Sequence, residues 1–254
     1  MSLVLEWQGD LSDQTLVSVH NAAAKLREDF PTAEIQKLVM INIGPQGAPV
    51  SDANGVGGIN FQRKSQFGAV AKQLVVSRQN CVFAINDYVR WNAALEDVMR
   101  SYAVILPLVL ANRAINVIGL QYTDVFTWKD DPEALNFNEV FRADSGLLPS
   151  NVFELQSLWH SHHGYFARDS EPMPHNLLQN VNVNVGDVSA ERQISIVMSH
   201  QATLDSPIRR GTNDYVGLIR KFQNSLHNNH KCMLKRLLTD EVCDLVKLNR
   251  PEEH

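Results

Sequence analysis

Three histidines fall within four positions of the stretch Leu158 to Phe166, as His160, His162 and His163. On a β-strand, residues i and i+2 point to one face with Cα atoms about 7 Å apart. His160 and His162 can therefore chelate one divalent metal together, while His163 points the other way. A catalytic zinc needs a third protein ligand and an open position. His200, in the middle of a strand-like run over 192–204, supplies that ligand if the two strands lie side by side; His175 and Glu171 are lesser candidates. No Glu or Asp stands at the spacing that strand-borne sites use to complete such a pair. The competing reading is a half-exposed strand on which imidazole pairs across the sheet beside Trp159 and Tyr165.

A second constellation is charge. From Arg209 to Arg236 the chain carries Arg209, Arg210, Arg220, Lys221, Lys231, Lys235 and Arg236 against a single acid, Asp214, with His227 and His230 added. Such a run can present a surface to phosphate, nucleic acid or an acidic partner. Beyond Tyr215 and Phe222 no aromatic residues are interleaved for base stacking, so nucleic acid is not favoured, and the alternative is a solvated helix face balanced by acids elsewhere. His227 and His230 share a helical face and have some ligand character.

Other chemistry lacks its signatures. No G-x-S-x-G elbow is present. Gly55-Val56-Gly57-Gly58 has no Lys-Ser/Thr after it and runs into a strand-like segment, so it reads as a hairpin or flexible loop rather than a phosphate cradle. Cys81, Cys232 and Cys243 read as small core hydrophobes rather than nucleophiles. Asp87, Asp124, Asp130 and Asp131 form no pair at a defined acid–base spacing. These residues name no catalytic group, and no cofactor beyond a divalent metal at the histidines.

The 254 residues suffice for one large domain or two modest ones. With 44% hydrophobic and 20% charged residues the chain can bury a sizeable core, and its net charge of −5 gives no global attraction to nucleic acid or anionic membrane. An odd number of cysteines without a CxxC pair fits a reduced, cytoplasmic compartment. No apolar run is long enough to span a bilayer, and the first residues lack the basic and apolar regions of a signal peptide.

The elements that must position these residues follow from periodicity. A strand over 3–7 precedes a helix over 13–29, which Asp10 or Ser12 can cap and Phe30-Pro31 stops. A strand over 35–43, a loop from Gly44 to Gly58, and strands over 59–64, 69–78 and 81–88 come next. Trp91, Leu95, Val98, Tyr102, Ile105 and Val109 mark a helix over 91–112 that contains Pro107. A strand over 115–128, a polar connection with one helical turn near Asn138, and strands over 152–166, 177–187 and 192–204 follow. Helices over 214–238 and 240–248 close the chain. Strands in runs followed by helices argue for an α+β fold of mainly antiparallel sheets with helices packed on one face. The composition shift near residue 130 divides it into two strand-rich halves, 1–130 and 131–254, each closed by a long helix.

This layout resembles a sporadically distributed bacterial family of about 250 residues. The resemblance rests on the helix ending in Phe30-Pro31, on the aromatic-led helix from Trp91, on Gly119-Leu120-Gln121-Tyr122-Thr123-Asp124, and on the closing segment from Leu226-His227-Asn228-Asn229-His230 to Thr239-Asp240. Many members of the family carry Arg and Asn where this chain has Gln121 and Asp124. The resemblance implies a cytosolic protein of an accessory or defence-type system and supplies no catalytic residues. Three functions remain in view. The first is a non-catalytic binding protein that meets a protein partner or associates with itself as a homodimer. The second is a metal-dependent enzyme using His160 and His162 with His200. The third is nucleic-acid binding through the basic helix over 214–238.

Overall fold

A computed structural model describes residues 1–38, 40–43, 49–52, 55–88, 90–129, 131, 134–155, 158–189 and 191–249. Nine strands form one antiparallel sheet and two more form a separate hairpin. In chain order the strands are β1 (Ser2–Trp7), β2 (Thr32–Lys37), β3 (Met40–Ile43), β4 (Pro49–Asp52), β5 (Val56–Lys64), β6 (Val70–Ser77), β7 (Asn80–Ile85), β8 (Ile115–Trp128), β9 (Trp159–Asp169), β10 (His175–Val188) and β11 (Glu191–Ile208). The large sheet runs β2-β5-β6-β7-β1-β8-β11-β10-β9, and β3 pairs with β4. The helices are α1 (Asp13–Asn21), α2 (Ala23–Leu26), α3 (Trp91–Leu110), α4 (Phe137–Val140), α5 (Tyr215–Leu237) and α6 (Asp240–Leu245). The fold is α+β, as the pattern of strand runs and helices predicts.

Alternation decides which face of the sheet is covered. Leu3, Leu5 and Trp7 on β1, Leu74 and Val76 on β6, and Cys81, Phe83 and Ile85 on β7 are buried, while their sequence neighbours are half-exposed. The same holds for Val181, Val183 and Val185 on β10 and for Ile194, Ile196 and Met198 on β11, whose sequence neighbours are half-exposed or exposed. All of these side chains point to the face carrying the helices. Each fully buried Leu or Phe there contributes roughly 1.5–3 kcal/mol.

The covered side holds two apolar cores. One gathers β1, β5 to β8, α1, α3 and the first half of α5, where Ile219, Phe222 and Leu226 are buried. The other gathers β10, β11, α4, α6 and the second half of α5, where Met233, Leu234 and Leu237 are buried. α5 spans both. Asp214, at φ 46° and ψ 49°, caps it by accepting the Gly217 N–H, and Lys235 and Arg236 in its last turn suit the helix dipole.

Several expectations need correction. The helix over 13–29 is two pieces, α1 and α2. The strand over 152–166 begins only at Trp159; Pro149 leads instead into a 3-10 turn over Ser150–Glu154, because its fixed φ suits a turn start. Gly57 and Gly58 belong to β5 rather than to a flexible loop. A Cβ on Gly58 would lie 2.9 Å from the Val76 carbonyl oxygen, and one on Gly57 would lie 3.1 Å from that of Lys37. Close backbone approach explains the glycines without any phosphate. Of the expected loop, 49–52 form β4, and residues 44–48, 53 and 54 lie outside the described residues.

Candidate functional site

Strand parity separates the three histidines of the metal reading. β10 lies between β9 and β11. His162 pairs with Asn182, which pairs with Val197; His160 pairs with Asn184, which pairs with Ser195. His200 is an odd number of residues from both Val197 and Ser195, so its side chain leaves the opposite face of the sheet. His160 and His162 are exposed, whereas His200 is 0% exposed beneath the helices. The three do not converge. His175 is buried, with Nδ1 2.8 Å from the Met173 carbonyl. Among the described residues no group of three or more His, Cys, Asp or Glu is placed to hold a metal ion.

A different set of rings meets on the covered face. Tyr122 and Asp124 on β8, His200 on β11, and His227 and His230 on α5 lie at the junction of the two apolar cores. The Tyr122 hydroxyl is 2.9 Å from His227 Nδ1. Trp91, the first residue of α3, stacks on His227 at 4.3 Å and 8°, and its indole N–H donates to Asn224 Oδ1 at 2.7 Å. Tyr122 stacks on His230 at 4.0 Å and 14°, and His200 meets His230 edge-on at 5.7 Å. His230 Nε2 is 3.9 Å from Asp124 Oδ2, too long for a hydrogen bond.

Burial controls the charge of this cluster. It depresses His200 to about 4. It depresses His230 to about 2, with His200, His227 and the Met1 ammonium adding to the effect. Burial raises the Asp124 carboxyl, and the Met1 ammonium opposes part of that rise. Among the described residues, both ring nitrogens of His200, His230 Nδ1, Asp124 Oδ2 and Gln223 Oε1 have no hydrogen-bond partner. His200 and His230 are thus neutral near pH 7. Their work is to fill a polar seam between two cores.

The signal for this cluster lay in the sequence in fragments. His227 and His230 sit on the apolar side of an amphipathic helix, between Leu226 and Met233. Tyr122 and Asp124 alternate on β8 with the exposed Gln121, Thr123 and Val125. Nothing in the sequence says that β8, β11 and α5 meet there.

The basic run disperses. The Arg220 guanidinium forks onto both oxygens of Glu96 on α3. Arg236 donates to the Ser145 carbonyl at 3.3 Å. Arg209 and Arg210 precede α5 and are exposed, while Lys221, Lys235 and Arg236 lie on its outer side and Lys231 is half-exposed. Cys232 is exposed on that side, contrary to its reading as a core residue; Cys81 and Cys243 are buried.

The other face of the sheet carries no helix among the described residues. Its cross-strand rows follow from the register. One row runs Val75, Val82, Val4 and Gly119, then continues through Gln201 to Leu178 and Phe166. It begins at the sheet edge with Glu34 and Asn60. The adjacent row runs from Gln62 and Gln73 through Ala84, Ser2 and Gln121 to Ser199, Asn180 and Gly164. Two shorter rows cross the second half: Thr123, Val197, Asn182 and His162, then Val125, Ser195, Asn184 and His160. Across these four rows the one charged residue is Glu34, on the outermost strand; the row on the other side of Val4, through Val117, Thr203 and Asn176, adds Glu6 on β1 and Arg168 on β9. Phe166 is 76% exposed and Val125 54%. The pair His160 and His162, first read as ligands, belongs to this uncharged amide and hydroxyl surface.

No protein-family model matches the chain, and no curated protein matches it. Two solved structures align along most of its length. One is the di-domain ARO/CYC StfQ from the steffimycin biosynthetic pathway, at 10% identity, covering 93% of this chain and 96% of that one with a TM-score of 0.22. The other is the di-domain ARO/CYC BexL from the BE-7585A biosynthetic pathway, at 12% identity with the same coverage and a TM-score of 0.21. At these TM-scores neither bears on the fold or activity of this chain. No helix among the described residues is long and apolar enough to cross a membrane.

Proposed function

We propose that this protein is a non-catalytic binding protein that uses the open face of its nine-stranded sheet to hold a macromolecular partner. One observation carries the reading: four cross-strand rows of small apolar, amide, hydroxyl and imidazole side chains lie uncovered, with a single charge at their edge. A solvated sheet face is kept soluble by charged side chains and has no need to shed them. Depletion of Lys, Glu and Asp around an apolar centre is the composition of an interface core. The valines at the middle and the amides around them repeat that arrangement of centre and rim. The metal-enzyme reading has lost its third ligand, and the basic helix has committed Arg220 to Glu96.

The test compares two faces of one molecule. Tagged full-length chain is cross-linked in an extract of its native cells and at high concentration on its own. Species captured by the wild type are expected to survive Arg220→Glu, on the helical side, and to disappear with Val82→Arg, on the open face. Capture that ignores Val82→Arg but is lost on charge reversal of Lys221 and Lys235 would move the binding surface to α5. A stoichiometric metal that leaves on His162→Ala in the folded protein would overturn the reading in favour of an enzyme.

A further inference from the structure

We infer that the occupant of the open face is a second copy of this chain, packed sheet against sheet about a two-fold axis. The inference rests on the binding role proposed above and names its partner. A two-fold interface brings one patch against itself, so every like charge near the axis would face its own image. The four rows avoid that conflict, since Glu34 on the outer strand is their one charge. Asn, Gln, Ser and Thr each carry both a donor and an acceptor, so Asn182, Gln121 and Ser199 can pair with the same residues of an identical surface. A partner of different sequence would more readily be selected and steered by complementary charge, which the four rows offer only at their margin, where Glu6 lies one row beyond Val4 and Arg168 is paired with Asp205. Nucleic acid would demand a positive surface, and a small ligand a concave pocket; the open face is neither.

Shape points the same way. The middle of the sheet presents Val75, Val82, Val4, Ala84, Ser2 and Gly119, none larger than valine. Small side chains let a second sheet approach to the packing distance of about 10 Å. Aligned sheets pack with strands crossing at about −30°, an angle set by the twist of each, and a second copy brings the same twist. Nine strands spaced about 4.8 Å apart, with two rows over the first half and four over the second at about 6.8 Å per row, give on the order of 800 Å². A standard interface buries about 800 Å² per partner.

Sedimentation equilibrium of the full-length chain over a wide concentration range tests the inference. The expected mass rises toward twice 28.5 kDa as concentration increases. Val82→Arg, in the apolar centre, is expected to weaken association roughly thirtyfold or more, the scale of a hot-spot loss. Gln201→Arg, on the same row and gentler to the fold, is expected to weaken it in the same direction. Circular dichroism and thermal unfolding of the dilute variants check that both fold. A wild type that stays monomeric at every concentration overturns the dimer, as does a dimer undiminished in folded Val82→Arg and Gln201→Arg. If the monomer still captures a foreign protein in a Val82-dependent way, the dimer fails while the open face stands as a binding surface.

Discussion

On the covered face, His200, His227 and His230 meet Tyr122 and Trp91 ring to ring, closed off by α5. On the open face, His160 and His162 stand in solvent beside Asn184 and Asn182. The sheet is the same, and β9 and β11 are separated by one strand. Parity alone assigns each imidazole its environment, and environment assigns its chemistry. Burial suppresses the charge of His200 and His230 and makes them structural, whereas the outward pair joins an uncharged surface whose composition suits association. The buried polar seam falls where α5 passes from one apolar core to the other, between Leu226 and Met233.

The contrast is broken most severely from the covered side. Trp91→Ala removes the plate that stacks on His227 and the indole donor to Asn224, and is expected to cost about 3–5 kcal/mol, read by denaturant unfolding. Acid comes next. The folded chain holds His200 at about 4 against about 6.5 in an unfolded one. The unfolded state therefore takes up the proton first, and stability falls as pH drops from about 6.5 toward 4. At 1.36 kcal/mol per unit the His200 share is about 3 kcal/mol. His230, depressed further, adds in the same direction, and the raised Asp124 carboxyl works against both. Unfolding curves across that pH range are expected to show a shallower decline for His200→Leu than for the wild type.

Smaller effects sharpen the outer surface. Arg220→Ala removes a half-exposed ion pair between α5 and α3 and is expected to cost no more than about 1 kcal/mol, declining further with added salt. His162→Ala is expected to change monomer stability by about 0.5 kcal/mol or less, because the side chain is solvated and its removal buries nothing. A loss as large as that of Trp91→Ala would mean that His162 is not the open-face residue described.

Much of the architecture was legible because local patterns were strong. The segment 115–128 reads as a strand, and β8 has those bounds. Val181 to Val185 alternates with Asn and forms the middle of β10, and Asp214 caps α5. The strand over 152–166 was misplaced because Val152 and Phe153 look like its apolar start, whereas Pro149-Ser150 begins a turn that uses Val152 as a small anchor of the second core. The candidate site was harder to read. Pairing His200 with His160 and His162 required β11 beside β9; β10 intervenes, and the register sets the parity against convergence. The ring cluster depends on long-range packing of α5 over β8 and β11, which no local spacing encodes. The charge-poor rows were present in alternate residues of most strands, but they become a surface only once strand order aligns Val75, Val82, Val4 and Gly119.

The central claim is that the open face is covered in the working protein, and a thiol placed at its centre tests it most directly. In Val82→Cys the new thiol faces outward, while the native Cys232 on the outer side of α5 serves as an exposed reference and Cys81 and Cys243 stay buried. Alkylation rates are measured at increasing protein concentration. The expected result is a rate at position 82 that falls as concentration rises while Cys232 reacts at an unchanged rate. Equal and constant rates at both thiols, in a folded protein at the highest concentration, would contradict it.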